Sequence, residues 1–212
     1  RRNYMKTKTN LRESLVRLCV SAMLMAMNVV CSSSFMSIPV PGGHLYINDA
    51  VICTAAIILD PVSAFLVGGF GAFLGDLLFY PAPMFVSLVT HGVQAVVISL
   101  IAHYTLKKHP VVASSLGVAL GAVIMVAGYS LGRAFIYSTP EYAIMKLPFQ
   151  ILQAVVGAVL GVVLCWGLGV VKLAKKTGAY YAPRAASMAD GVSKDGTESG
   201  TPTDNSPVEE EK

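Results

Sequence analysis

Apolar residues dominate the chain from about Leu15 to about Leu173, and charges and Pro/Gly breaks cut this stretch into six pieces. The first runs from about Ser14 to Ser34 and is followed by the loop "FMSIPVPGGHLY". A short second piece covers about Asn48 to Leu59, and "LDP" turns the chain. The third runs from Val62 to Tyr80, the fourth from Met84 to Leu106, the fifth from Val111 to Tyr137 and the sixth from about Ile144 to Leu173. Apolar runs of about 20 residues are long enough to cross a bilayer as helices. The second is short for that, so it is expected to lie obliquely or to be extended by the neighbouring loop.

Composition agrees with a membrane setting. Hydrophobic residues make up 54% of the chain and charged residues 13%, with a mean hydropathy of +0.62. An average soluble domain carries about one-quarter charged residues. The first apolar run is too long for the core of a secretory signal and is expected to be retained as a span. Residues 1–13 then form a cytoplasmic flank and residues 14–174 a membrane domain. Residues 175–212, rich in Gly, Ser, Thr, Pro and acids, form an expected disordered tail. Cys19, Cys31, Cys53 and Cys165 lie in or beside apolar runs without CxxC spacing and read as small packing residues. No cofactor or metal is expected.

Positive charge sets the direction. Lys and Arg gather in the N-terminal flank (Arg1, Arg2, Lys6, Lys8, Arg12, Arg17), between the fourth and fifth pieces (Lys107, Lys108) and after the sixth (Lys172, Lys175, Lys176). These flanks share one side if an even number of spans separates them. The expected fold is therefore an all-α, six-transmembrane-helix bundle, multi-pass, with both termini cytoplasmic.

On that orientation the intramembrane polar residues fall at one level. Asp76 lies about one turn below the outer surface. His91 and Gln94, at i and i+3, lie roughly 10–15 Å deep. Tyr129 and Arg133 on the fifth piece, and Gln150 and Gln153 on the sixth, fall in the same outer half, while Asn48 and Asp49 sit at the outer surface. The inner half holds little beyond a few serines, with His103 and Tyr104 near its boundary.

Buried polar groups need partners or water. The cluster is either a self-satisfied network, for example Asp76 with Arg133 or His91, or an outward-facing pocket around a polar ligand. The pocket reading is preferred, because the donors and acceptors outnumber what one ion pair requires. Asp76 then contacts the ligand or holds Arg133 or His91 in place. Small residues four apart recur at Ala22/Ala26, Gly71/Gly75, Gly117/Gly121, Gly128/Gly132 and Gly157/Gly161, a spacing that lets helices pack closely. The chain has no Walker A pattern and no obvious inverted repeat of broken helices, so inward release calls for a partner.

Four stretches resemble a known family: "INDAVI" (Ile47–Ile52), "GGFGAFLGDLLFYPAP" (Gly68–Pro83), "GYSLGR" (Gly128–Arg133) and "LPFQILQAVVGAVLG" (Leu147–Gly161). In order and spacing they are similar to the substrate-binding (S) component of energy-coupling factor (ECF) importers, which take up vitamins across the bacterial cytoplasmic membrane. The chain departs from that pattern at "HGVQA" (His91–Ala95), where a basic residue opens a "KGxxG"-like stretch in relatives, and at Arg133, where an acid often stands.

The resemblance implies tight capture of a small vitamin or precursor, a membrane coupling subunit and two ATPase subunits as partners, and docking through an AxxxA motif on the first helix. Ala22 and Ala26 match that motif. Pyridoxine-like and hydroxymethylpyrimidine-like compounds are the first candidates. A self-sufficient carrier or channel is the alternative, weakened by the apolar inner half. A membrane enzyme is less favoured still, since neither HExxH nor GxSxG occurs.

Overall fold

A computed structural model of the chain describes residues 2–183, apart from Gly42 and Lys107. Arg1, Lys107 and residues 184–212, on which the charge count and the expected tail partly rest, lie outside the described residues. Of the described residues 82% are helical. Helix α1 spans Arg2–Cys31. A hairpin of β1 (Ile38–Val40) and β2 (Gly43–Leu45) follows, with Ile38 opposite Leu45 and Pro39 opposite His44. Then come α2 (Asn48–Ile58), α3 (Pro61–Phe79), α4 (Met84–Tyr104), α5 (Pro110–Tyr137), α6 (Pro140–Gly167) and α7 (Val170–Thr177).

Among the described residues, five segments are long and apolar enough to cross a membrane: Leu11–Cys31 within α1, and α3, α4, α5 and α6. The short helix α2 differs from all of them. At 1.5 Å per residue it reaches about 16 Å, half a hydrocarbon core. Every residue of α2 is buried, and it packs against α1, α4 and α6. Its apolar side chains Ile52, Ile57 and Ile58, with Leu59 just beyond, form the core together with Val67, Ile98 and Cys165. A polar residue on α2 is therefore held between helices.

Local chemistry explains the breaks. Asp60 caps the start of α3: its carboxylate accepts from the Ser63 backbone N–H at 3.1 Å and from the Ser63 hydroxyl at 2.8 Å. Thr139 caps α6 by accepting from the Tyr142 N–H at 3.4 Å.

Among the described residues, three π-helical turns interrupt the long helices, at Leu66–Phe70, Arg133–Tyr137 and Val163–Gly167. At the first of these, Asn28 of α1 donates to the Val67 carbonyl at 2.7 Å, using an acceptor at a site of irregular helical pairing.

The glycine pairs lie at helix crossings. Gly157 and Gly161 of α6 face Asp49 and Cys53 of α2 so closely that a side chain at either would overlap them. Gly71 and Gly75 sit against Asn28 and Ser32, while Gly117, Gly121, Gly128 and Gly132 sit against α4. Ala22 and Ala26 differ: both are exposed on α1.

The C-terminal end corrects two expectations. The sixth helix was expected to reach Leu173, but it ends at Gly167, and Gly169 adopts a left-handed backbone (φ 76°) that starts α7 separately. The tail was expected from residue 175, yet α7 continues to Thr177. Beyond it Ala179 is buried, Tyr180 packs on the core and the Tyr181 N–H donates to the Ile58 carbonyl at 2.9 Å. The ordering has an aromatic cause. The rings of Tyr180 and Tyr181 lie 5.4 and 5.3 Å from that of His103, and the Tyr181 hydroxyl is 2.9 Å from that of Tyr104.

Candidate functional site

A cavity of about 90 Å³ opens at the end of the bundle beside the hairpin. Seven of the nine polar residues singled out in the sequence line it: Asn48, Asp76, His91, Tyr129, Arg133, Gln150 and Gln153. The other two, Asp49 and Gln94, do not. They are buried behind it and form the foundation that orients the rest.

Asp49 is the hub of that foundation. Its carboxylate accepts from Gln153 Nε2 at 2.7 Å and from Gln94 Nε2 at 3.4 Å, and lies 3.8 Å from His91 Nδ1. With its amide nitrogen turned to Asp49, Gln94 offers Oε1 to His91 Nδ1 at 2.7 Å. An amide oxygen only accepts, so His91 carries a proton on Nδ1 and, when neutral, keeps Nε2 as an acceptor. Gln153 Oε1 in turn accepts from the Tyr46 N–H at 3.2 Å, tying the loop before α2 to α6. Burial pushes the Tyr46 phenol up to about 12, and the Asp76 carboxylate adds to the shift. Tyr46 therefore faces the cavity as a neutral hydroxyl.

A second network is built around Asp76, which is 8% exposed. Its partner is neither Arg133 nor His91, as the sequence reading offered, but Ser87, whose hydroxyl donates to Asp76 Oδ2. The Tyr129 hydroxyl pairs with the same Ser87 oxygen. Ser87 has a single proton and gives it to the carboxylate, so Tyr129 donates to Ser87. The Tyr129 ring packs edge-on to His91 at 5.2 Å, giving the cavity an aromatic wall.

Arg133 donates to Gln150 Oε1 at 2.9 Å and lies over the Tyr137 ring at 5.7 Å. Residues four apart on an α-helix drift about 40° around the axis. The wider π turn at Arg133–Tyr137 offsets that drift and keeps Tyr129, Arg133 and Tyr137 along one wall.

Asn48 presents a free acceptor. Ser32 spends its hydroxyl proton on the Asn28 carbonyl at 2.9 Å and accepts from Asn48 Nδ2 at 3.1 Å. Asn48 Oδ1 is left buried with no protein partner, on a residue that lines the cavity.

Sequence reasoning missed Ser87, Lys146 and Tyr137 and the loop residues His44 and Tyr46. Two of these carry a readable signal: Tyr137 extends the i, i+4 series of Tyr129 and Arg133, and Lys146 stands at i of an i, i+4, i+7 stripe with Gln150 and Gln153. Ser87 carries none, being one hydroxyl among many in apolar helices.

The family model described as "ECF-type riboflavin transporter, S component" matches residues 12–169. The chain belongs to this family. A curated relative, the thiamine precursor transporter HmpT of Lactococcus lactis subsp. cremoris (strain MG1363), is 31% identical over 156 residues, covering 72% of this chain and 87% of the relative. The chain is thus a multi-pass membrane transport component, and its family and relative are transporters rather than enzymes. Within this S component the family match ends at the Gly169 break, so α7 and the Tyr180–Tyr181 contact lie beyond it.

Proposed function

We propose that this S component captures a compact, single-ring vitamin or vitamin precursor, hydroxymethylpyrimidine-like or pyridoxine-like, on the outer face of the bacterial cytoplasmic membrane. The observation that carries the reading is the cavity itself. It combines an aromatic wall of Tyr129 and His91 with open acceptors on Asp76 and Asn48.

Its volume of about 90 Å³ suits one ring better than a fused three-ring system; sites for drug-sized ligands run to about 300–1,000 Å³. The similarity to a thiamine precursor transporter points the same way. In this reading α2 completes a six-helix bundle, both termini are cytoplasmic and the pocket opens outward. The ECF coupling subunit docks on Ala22 and Ala26, and two ATPase subunits drive delivery.

The test is a thermal-shift screen of purified protein against hydroxymethylpyrimidine, pyridoxine, thiamine and riboflavin, followed by calorimetric titration. A ligand that binds only the folded state must stabilise it. Asp76→Ala and His91→Ala are each expected to weaken binding of the hit about 10- to 100-fold, the worth of a hydrogen bond to a charged or well-oriented buried partner. Wild-type affinity in both variants, with monodisperse folded protein, would remove the pocket assignment.

A further inference from the structure

Lys146 is only 3% exposed, yet no carboxylate lies within ion-pairing distance of it among the described residues. Its ammonium has three protons to donate. One goes to the His44 carbonyl at 2.6 Å, where β2 crosses the start of α6. The side chain lines the cavity.

Arg133 lines the same cavity, again without a carboxylate partner among the described residues, and spends one N–H on Gln150. Both cations therefore face one small cavity. Beside them the Tyr137 hydroxyl is buried without a well-formed hydrogen bond. A buried charge is costly without a partner, and a pair of like charges more so. Asp76, the carboxylate on the cavity wall, accepts from Ser87 and makes no ion pair with either cation among the described residues, and Asp49 lies behind the wall, engaged by Gln94 and Gln153. The cation pair is therefore left for something that enters the cavity.

We propose that Arg133 and Lys146, with the Tyr137 hydroxyl, form an anion-accepting subsite, so that the captured ring carries a carboxylate or a phosphate monoester at this end. The proposal rests on the single-ring reading above and adds a polarity to it. The donors of the ring system face Asp76 and Asn48 Oδ1, and the anionic substituent faces Arg133 and Lys146. A guanidinium offers an oxyanion two parallel N–H groups and an ammonium adds a point charge, a pairing suited to either oxyanion.

The experiment compares three forms of one ring, pyridoxine, 4-pyridoxic acid and pyridoxine 5′-phosphate, together with hydroxymethylpyrimidine and its phosphate, by calorimetry on the full chain. One anionic form is expected to bind about 10- to 100-fold more tightly than its neutral parent, the range for charge-assisted hydrogen bonds. Lys146→Met and Arg133→Gln should bring that ratio close to one, and the charge-keeping Lys146→Arg should preserve it.

Equal or weaker binding of every anionic form, or a preference that survives both neutral variants, would overturn the subsite. If no ring binds at all, the single-ring reading fails, and inorganic phosphate decides the subsite separately. Protection of the wild type against thermal unfolding that is lost in folded Lys146→Met upholds it, and equal protection of both refutes it.

Discussion

Leucine in place of Gly157 is expected to lower the melting temperature sharply and to abolish ligand capture. Gly157 is where α6 crosses α2, and a Cβ there would fall inside the Asp49 side chain, 3.3 Å from the Asp49 carbonyl carbon and 3.4 Å from the Ala50 nitrogen. Helix α2 has nowhere to retreat, since every one of its residues is buried and it also packs on α1 and α4.

Overpacking of a filled core costs about 1–3 kcal/mol, and more where backbone must move. Displacing Asp49 also breaks its bonds from Gln94 and Gln153, and each buried polar group left unpaired costs about 1–3 kcal/mol. Together these reach several kcal/mol, comparable to the stability of many domains. Gly167→Ala is the control, because a Cβ there meets only Val163 at an ordinary 3.5 Å. Dye-monitored unfolding in detergent and calorimetry measure both. A Gly157→Leu protein that melts and binds like Gly167→Ala would show that the α2–α6 approach does not organise the site.

That prediction shows how the sequence could and could not be read. The Gly157/Gly161 spacing announced a close helix crossing, and the i, i+3 pairs His91/Gln94 and Gln150/Gln153 announced a polar face. Neither pattern says which member meets the cavity. Asp49 and Gln94 were expected at the ligand and instead stand behind it: α2 is buried on all sides and turns Asp49 to its neighbours, and Gln94 of α4 is spent on Asp49 and His91.

Ser87 shows the converse. One hydroxyl between Val86 and Leu88 has no periodicity, and its role exists only because α3, α4 and α5 bring Asp76, Ser87 and Tyr129 together. The end of α6 escaped for a backbone reason: "GLGVVK" stays apolar through the break, while the left-handed φ of Gly169 redirects the chain. Tyr180 and Tyr181 sit in tail-like composition, yet their rings meet His103 and the Tyr181 N–H meets the Ile58 carbonyl, contacts that no periodicity announces.

Tryptophan at Ala22 is expected to reduce transport to background in membranes holding the ECF module, while substrate affinity stays at the wild-type value. The proposed docking face follows from what α1 leaves uncovered. Asn28 is turned inward to Val67, and Ser21 and Ser32 are buried, whereas Ala22, Met23, Ala26 and Met27 are exposed. Two alanines four apart leave a shallow groove into which another helix can press its backbone, and tight packing of small residues drives much helix association inside a bilayer.

Tryptophan fills such a groove without touching the cavity residues, so folding and capture should survive and docking should not. An exposed apolar face also suits lipid, and lipid accommodates an indole. Val123→Trp therefore serves as the companion, since Val123 is exposed at 64% on α5, away from the proposed docking helix. Uptake of a radiolabelled ligand by proteoliposomes with the coupling subunit and ATPases, read against calorimetric affinity, separates the two surfaces. Loss with Ala22→Trp alone assigns the face to a protein partner. Normal uptake with both variants would return Ala22 and Ala26 to the lipid.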